Sequence, residues 1–369
     1  MPPRLPSNLL DRSAQEASRL LSLSYLDQID GAHARLGDQL DQEALHDFRV
    51  GTRRLRSAIR AYRTELEGSV SGKMRRRLRK LARATNDGRD VEVQLAWLGK
   101  QSQLLGPDDI PGFYWLVGRL EDRKQKTHDR AVADVARRYE KVTATLRKAL
   151  GILRIELQTA QGQPPATFRE LTGTLAQRQV QRLREDLGRI QGAGDAEQAH
   201  RTRISVKRLR YLLEPVARGN RRAGALIRRF KEAQDLLGEH HDMHMFSSGI
   251  ASFREGVSAS KFSGLEPGLT TLARLADEAG TAAFDRFSAV WGGESGERIL
   301  SRAEELGRAL EAPPVPIESH APEPSPSLEK TLPPLASAAR GRLRHEGPEG
   351  QEGQARPREE GVSSVSFVS

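Results

Sequence analysis

From residue 12 to residue 310, apolar positions recur at spacings of three and four, with little of the period-two alternation that marks a half-buried strand. The pattern predicts an all-α protein. Helices are expected near 12–40, 43–66, 72–87, 90–104, 112–159 (two helices, or one with a break), 166–190, 196–218, 221–238, 240–254, 266–291 and 296–310. The segment 43–66 shows the logic most clearly: Leu45, Phe48, Thr52, Leu55, Ile59 and Tyr62 form one mostly apolar stripe, the core face of a helix. Moving each position by one gives His46, Arg49, Arg53, Arg56, Arg60 and Arg63, a second stripe about 100° around the helix. A basic row therefore borders the buried face.

After Leu310 the pattern stops. Residues 311–369 contain ten of the chain's nineteen prolines and almost no large apolar side chains, a composition that cannot bury enough surface to offset its ordering entropy. A disordered Pro/Gly/Glu-rich tail is expected there. The loop around "QTAQGQPPATF" divides 1–310 into roughly equal halves, about 12–160 and 166–310. The halves look alike: "HDFRVGTRRLR" (46–56) aligns with "HRTRISVKRLR" (200–210), and "LRKLARATNDGRDVEV" (78–93) with "FKEAQDLLGEHHDMHM" (230–245). Two elements in the same order, at offsets of 154 and 152 residues, indicate an internal duplication. With about four helices in each half, the simplest architecture is two helical bundles side by side.

Charge then gives the basic row a purpose. An arginine row on a helix usually pairs with acids on its own or neighbouring helices. Here thirteen Lys and Arg between His46 and Arg83 stand against three acids, and eleven between His200 and Lys231 stand against Glu214 alone. The two segments together carry +20 in a chain of net charge +10, so positive charge is segregated rather than mixed. Arg76, Arg79 and Arg83 form a further row on the next helix. Two adjacent helices per half would line a groove with guanidinium and ammonium groups. Arginine offers phosphate a planar bidentate fork and lysine a mobile point charge; repetition every 5 to 6 Å or so suits a long polyanion better than one small phosphate compound. His46 and His200 open their stripes and are expected to donate to phosphate when protonated, although either alone reads equally well as a helix-end histidine bonded to backbone.

Other chemistries find little support. The chain has no cysteine, which excludes disulfides, thiolate catalysis and cysteine-based metal sites. The first thirty residues lack an apolar run of signal-peptide character and no segment is long enough to span a bilayer, so a soluble cytoplasmic protein is expected. "GSVSGKM" (68–74) has the wrong glycine spacing for a phosphate-binding loop and Met74 where Ser or Thr would hold magnesium. His240 and His244 have metal-ligand spacing but no clear third ligand, and read better as local structure or phosphate contacts. Asp90 and Asp242 read as helix caps or as acids that position nearby arginines. Neither a cofactor nor an enzymatic activity is expected.

The paired motifs resemble the CHAD family, the conserved histidine α-helical domain: a His followed three residues on by Arg, then a basic-Arg-Leu-Arg cluster, and later a basic residue ahead of an Arg-Asp or His-Asp turn. The resemblance spans about residues 12–310. It implies two four-helix bundles related by pseudo-twofold symmetry, with a basic central surface that binds inorganic polyphosphate. Matched position by position, it implies His46, Arg49, Arg53, Arg56, Arg79, Arg89, His200, Arg203, Lys207, Arg210 and Lys231 as phosphate contacts; the basic rows add Arg60, Arg76 and Arg83. Arg54 and Arg208 match too but face another side of their helices. Glu214 falls opposite Arg60 and Asp235 opposite Arg83, so the second groove is expected to be shorter. The β-strands and Glu-x-Glu-x-Lys signature of a triphosphate tunnel domain, a frequent companion of CHAD domains, are not visible, which suggests a stand-alone module. The expected partner is polyphosphate, including polyphosphate granules. The main alternative is sequence-independent RNA or DNA binding, disfavoured because the basic helices offer few aromatics beyond Tyr62 and Tyr211 for stacking. A scaffold docking an acidic protein is a third class.

Overall fold

The computed structural model describes residues 5–38, 41, 43–85, 87–152, 165–253 and 263–312. Residues 158–164 of the loop expected around "QTAQGQPPATF", the tail after Ala312 and the far ends of the helices expected to reach 40, 159 and 254 lie outside these residues. Ten α-helices are described: α1 (Ala14–His33), α2 (Glu43–Ala61), α3 (Gly72–Arg83), α4 (Asp87–Gln101), α5 (Ile110–Gly151), α6 (Phe168–Gly188), α7 (Ala196–Leu213), α8 (Arg221–Phe253), α9 (Glu266–Trp291) and α10 (Gly293–Glu311). Among the described residues there is no strand, and no helix is long and apolar enough to cross a membrane. The protein is all-α.

Each half begins with a Ser/Thr-x-x-Glu sequence, and the reason is local. Ser13 Oγ accepts from the Glu16 amide at 3.3 Å, capping α1. Thr167 and Glu170 form a full capping box at α6, with bonds of 3.2 and 2.8 Å. Backbone bonds from Ala14 N to Ala166 O and from Phe168 N to Arg12 O, both 2.9 Å, tie the two helix starts together. The halves therefore begin side by side.

Within the first half α1 packs on α2, and α3 and α4 pack on α5; within the second, α7 and α9 pack on α8, and α6 packs on α7 and α10. Across the halves α1 meets α6, α2 meets α7, α4 meets α8 and α5 meets α9. Leu45, Phe48, Thr52, Leu55, Ile59 and Tyr62 are all buried, as their spacing predicts. Gly51 lets α2 close on α1: a Cβ there would stand 2.9 Å from Ile29 Cγ1. The main core draws on both halves, and a smaller apolar cluster forms where α4, the start of α5, the end of α8 and the start of α9 converge around Phe113, Leu116, Met243 and Phe246.

Two expected breaks are absent. α5 runs unbroken from Ile110 to Gly151, about 63 Å at 1.5 Å per residue. α8 continues through Gly238, where separate helices ending at 238 and starting at 240 were expected, because a single glycine costs a buried helix only about 1 kcal/mol. The helix expected to reach residue 218 instead ends at Leu213 and passes into a 3-10 turn at Glu214–Val216, where Pro215 supplies no amide hydrogen. The helix expected over 43–66 ends at Ala61.

Candidate functional site

Where α2 meets α7 and α4 meets α8, a cleft of about 500 Å³ opens. Its cationic lining comes from four helices, Arg49, Arg53 and Arg56 on α2, Arg89 on α4, Arg123 on α5, and Arg203 and Lys207 on α7, and His241 on α8 joins them. Thr52, Thr85 and Gln94 add neutral polar groups, Asp90 and Asp242 add two acids, and Met245 and Phe246 close one side. The α2 stripe grades from buried at Arg49 through half-buried at Arg53 and Arg56 to exposed at Arg60, and Arg63, just past the end of α2, is exposed as well.

The deepest arginine is a fixture of the wall. Arg49 Nε donates to Thr85 O at 2.6 Å and Nη1 to Glu92 Oε2 at 3.1 Å, while its buried Nη2 has no hydrogen-bond partner. Arg203, its aligned counterpart, likewise keeps a buried Nε without a partner. Each lies against a glycine of a neighbouring helix: a Cβ on Gly88 would stand 3.2 Å from Arg49 Nη2, and one on Gly238 3.5 Å from Arg203 Nε. Buried donors left without acceptors cost about 1–3 kcal/mol each, a cost that an anion in the cleft can offset.

Positive charge is crowded here. Burial, reinforced by Arg53, Arg203, Arg56 and Arg210, pushes Lys207 down to about 8. Burial and the charges of Arg79, Arg60, Arg83 and Arg53 also work against the charge on Arg56. Among the described residues Arg53, Arg56, Arg203 and Lys207 form no ion pair. The acids are perturbed in turn: burial raises Asp242, and Asp90 adds to the effect, while Arg203 and Arg89 oppose it.

The histidines differ from expectation. His200 and His241 approach with ring centroids 4.7 Å apart, but His241 is the one that lines the cleft. Burial, Arg203 and Lys207 lower His200, and burial, reinforced by His200, Arg203, His240 and His244, pushes His241 down to about 4, so His241 is neutral at pH 7 without a ligand. This environment works against the protonated His200 that was expected to donate to phosphate. His46 is half-buried and outside the cleft lining. His240 is buried, with Nδ1 donating to Gly280 O at 3.1 Å, whereas His244 is exposed; among the described residues no group of three His, Cys, Asp or Glu side chains could hold a metal.

Several expected contacts are engaged elsewhere. Arg210 bonds Gln234 Oε1 and Glu214 Oε1, both at 3.1 Å, and Arg54 reaches the other Glu214 oxygen at 2.9 Å. Lys231 pairs with Asp235 at 2.6 Å in a separate surface groove with Arg228, Glu239 and Arg286. Arg60, Arg76, Arg79 and Arg83 are exposed outside the cleft lining, although Arg60, Arg79 and Arg83 lie close enough to act on the charge of Arg56. Arg123, His241, Thr85 and Gln94 were missed as lining residues.

An all-helical protein with a cationic cleft where its two halves meet defines the class. The CHAD domain family model matches residues 23–248, and the chain belongs to that family. The structure is similar to the crystal structure of the CHAD domain from the plant Ricinus communis, at 21% identity and a TM-score of 0.58, covering 80% of this chain and 92% of that one. It is also similar to PptA from Streptomyces chartreusis, at 14% identity and a TM-score of 0.56, covering 75% and 99%. No curated protein sequence matches the chain.

Proposed function

We propose that the protein binds inorganic polyphosphate, without catalysis, in the cleft between its halves. The observation that carries this reading is the set of cations without counter-ions: Arg53, Arg56, Arg203 and Lys207 converge on one cleft with no ion pair among the described residues. A chain of phosphates supplies repeated bidentate acceptors at the spacing these side chains need. Neutral His241 offers one N–H, and Asp242, although its charge is disfavoured by burial, lies within the electrostatic reach of Arg203 and Arg89. The reading extends to residues 1–310 as one CHAD-like unit of two repeats, supported by contacts that join the first and second helices of one half to the first and second of the other, α1 to α6 and α2 to α7. It also extends to a cytoplasmic protein attached to polyphosphate granules.

Nucleic acid would bring phosphates as well, but the cleft presents no exposed aromatic ring among its described lining residues, Phe246 being buried. The test is a titration of the full chain with polyphosphate at several salt concentrations, with RNA and DNA as competitors. Polyphosphate should bind at least tenfold more tightly than either polymer at equal phosphate concentration; equal affinity for all three would mean general polyanion binding.

A further inference from the structure

Three arginines outside the cleft share its peculiarity. Arg60 on α2, Arg182 on α6 and Arg208 on α7 form no ion pair among the described residues, although α7 packs against both α2 and α6. Arg208 is half-buried, and its buried Nε has no hydrogen-bond partner. Burial works against its charge first, then Arg60 and Arg182, while Asp186 opposes them. That acid is already engaged, since Asp186 Oδ2 accepts from Ser205 Oγ at 2.5 Å. The contrast on α6 itself is sharp: Arg184, two residues on and therefore about 200° around the helix, is held by Glu297 at 2.7 Å and Glu304 at 3.1 Å. One face of α6 is neutralised and the other left positive.

This cluster joins the cleft. Arg60 lies one turn beyond the cleft residue Arg56, about 6 Å along α2, and adds to the positive field on it. We propose that Arg60, Arg182 and Arg208 form a second phosphate-binding stretch, reached from the cleft over Arg56, that holds the part of a polyphosphate chain too long for the cleft. The inference rests on the polyphosphate reading and adds a path to it.

The experiment compares tripolyphosphate with long-chain polyphosphate on the full chain and on the variants Arg182→Ala and Arg208→Gln. Tripolyphosphate affinity should be unchanged. Long-chain affinity should fall about fivefold per variant, with a salt slope shallower by about one. Arg182 is exposed, so Arg182→Ala keeps the test decisive if Arg208→Gln fails to fold. Unchanged long-chain binding, or equal weakening for both ligands, overturns the second stretch alone. Failure of the unaltered chain to bind either ligand overturns the polyphosphate reading and the stretch with it.

Discussion

In the first half of the chain, Arg53, Arg56, Arg60, Arg79, Arg83 and Arg89 reach toward or border the cleft with no ion pair among the described residues. In the second half, the aligned motif places Arg210 on Glu214 and Lys231 on Asp235, leaving Arg203 and Lys207 as the cleft cations without an ion pair among the described residues. The same sequence pattern thus serves two ends. One wall stores unpaired charge, and the other is partly neutralised by acids spaced one helical turn from their partners. Glu214 also accepts from Arg54, so it pins α2 against α7 at the point where the halves meet. Counting basic residues overstates a binding surface unless each is asked what already holds it.

The largest effect should come from removing charge on both walls at once. Arg53→Ala with Arg203→Ala is expected to weaken polyphosphate binding by about 100-fold, two charge-assisted hydrogen bonds at roughly 1.5 kcal/mol or more each, with helicity by circular dichroism unchanged. The pH dependence should come next. Lys207 is half-protonated near pH 8 without ligand, and phosphate favours its charged form, so affinity should fall about tenfold as pH rises from 7 to 9. Lys207→Arg should flatten that step. The same group affects folding with the opposite sign. Its value is lowered in the folded protein, so the unfolded chain binds more protons between about 8 and 10.5, and thermal stability without ligand should rise with pH across that window.

Smaller effects sharpen the asymmetry. Glu214→Gln frees Arg54 and Arg210; polyphosphate affinity should rise about threefold, while stability in urea falls by about 1–3 kcal/mol as the bridge between halves is lost. Lys231→Ala, at an exposed surface pair, should change affinity by less than about twofold, because such pairs and their positions contribute little.

Much of the fold was legible because its signals are local. Apolar spacing placed the α2 stripe, and the recurrence of His-x-x-Arg and basic-Arg-Leu-Arg brought out the two cleft helices. The long-range part was not legible. Nothing near Arg49 shows that Thr85 O and Glu92, on elements more than thirty residues away, would anchor it; replacing Arg49 would therefore damage the fold and confuse a binding test. Arg123 sits in a charged run of α5 with no stripe of its own and enters the lining only because α5 crosses the cleft. Arg210 and Lys231 looked free because an acid four residues away is a partner only when both side chains turn toward each other.

The most direct test of the central claim uses two lysines on one molecule. Acetylation of the full chain, read by mass spectrometry with and without polyphosphate, compares Lys207 in the cleft with Lys231 in its paired surface groove. The cleft account predicts that polyphosphate strongly protects Lys207 and leaves Lys231 labelled as before. Protection of Lys231 with Lys207 unchanged would contradict it.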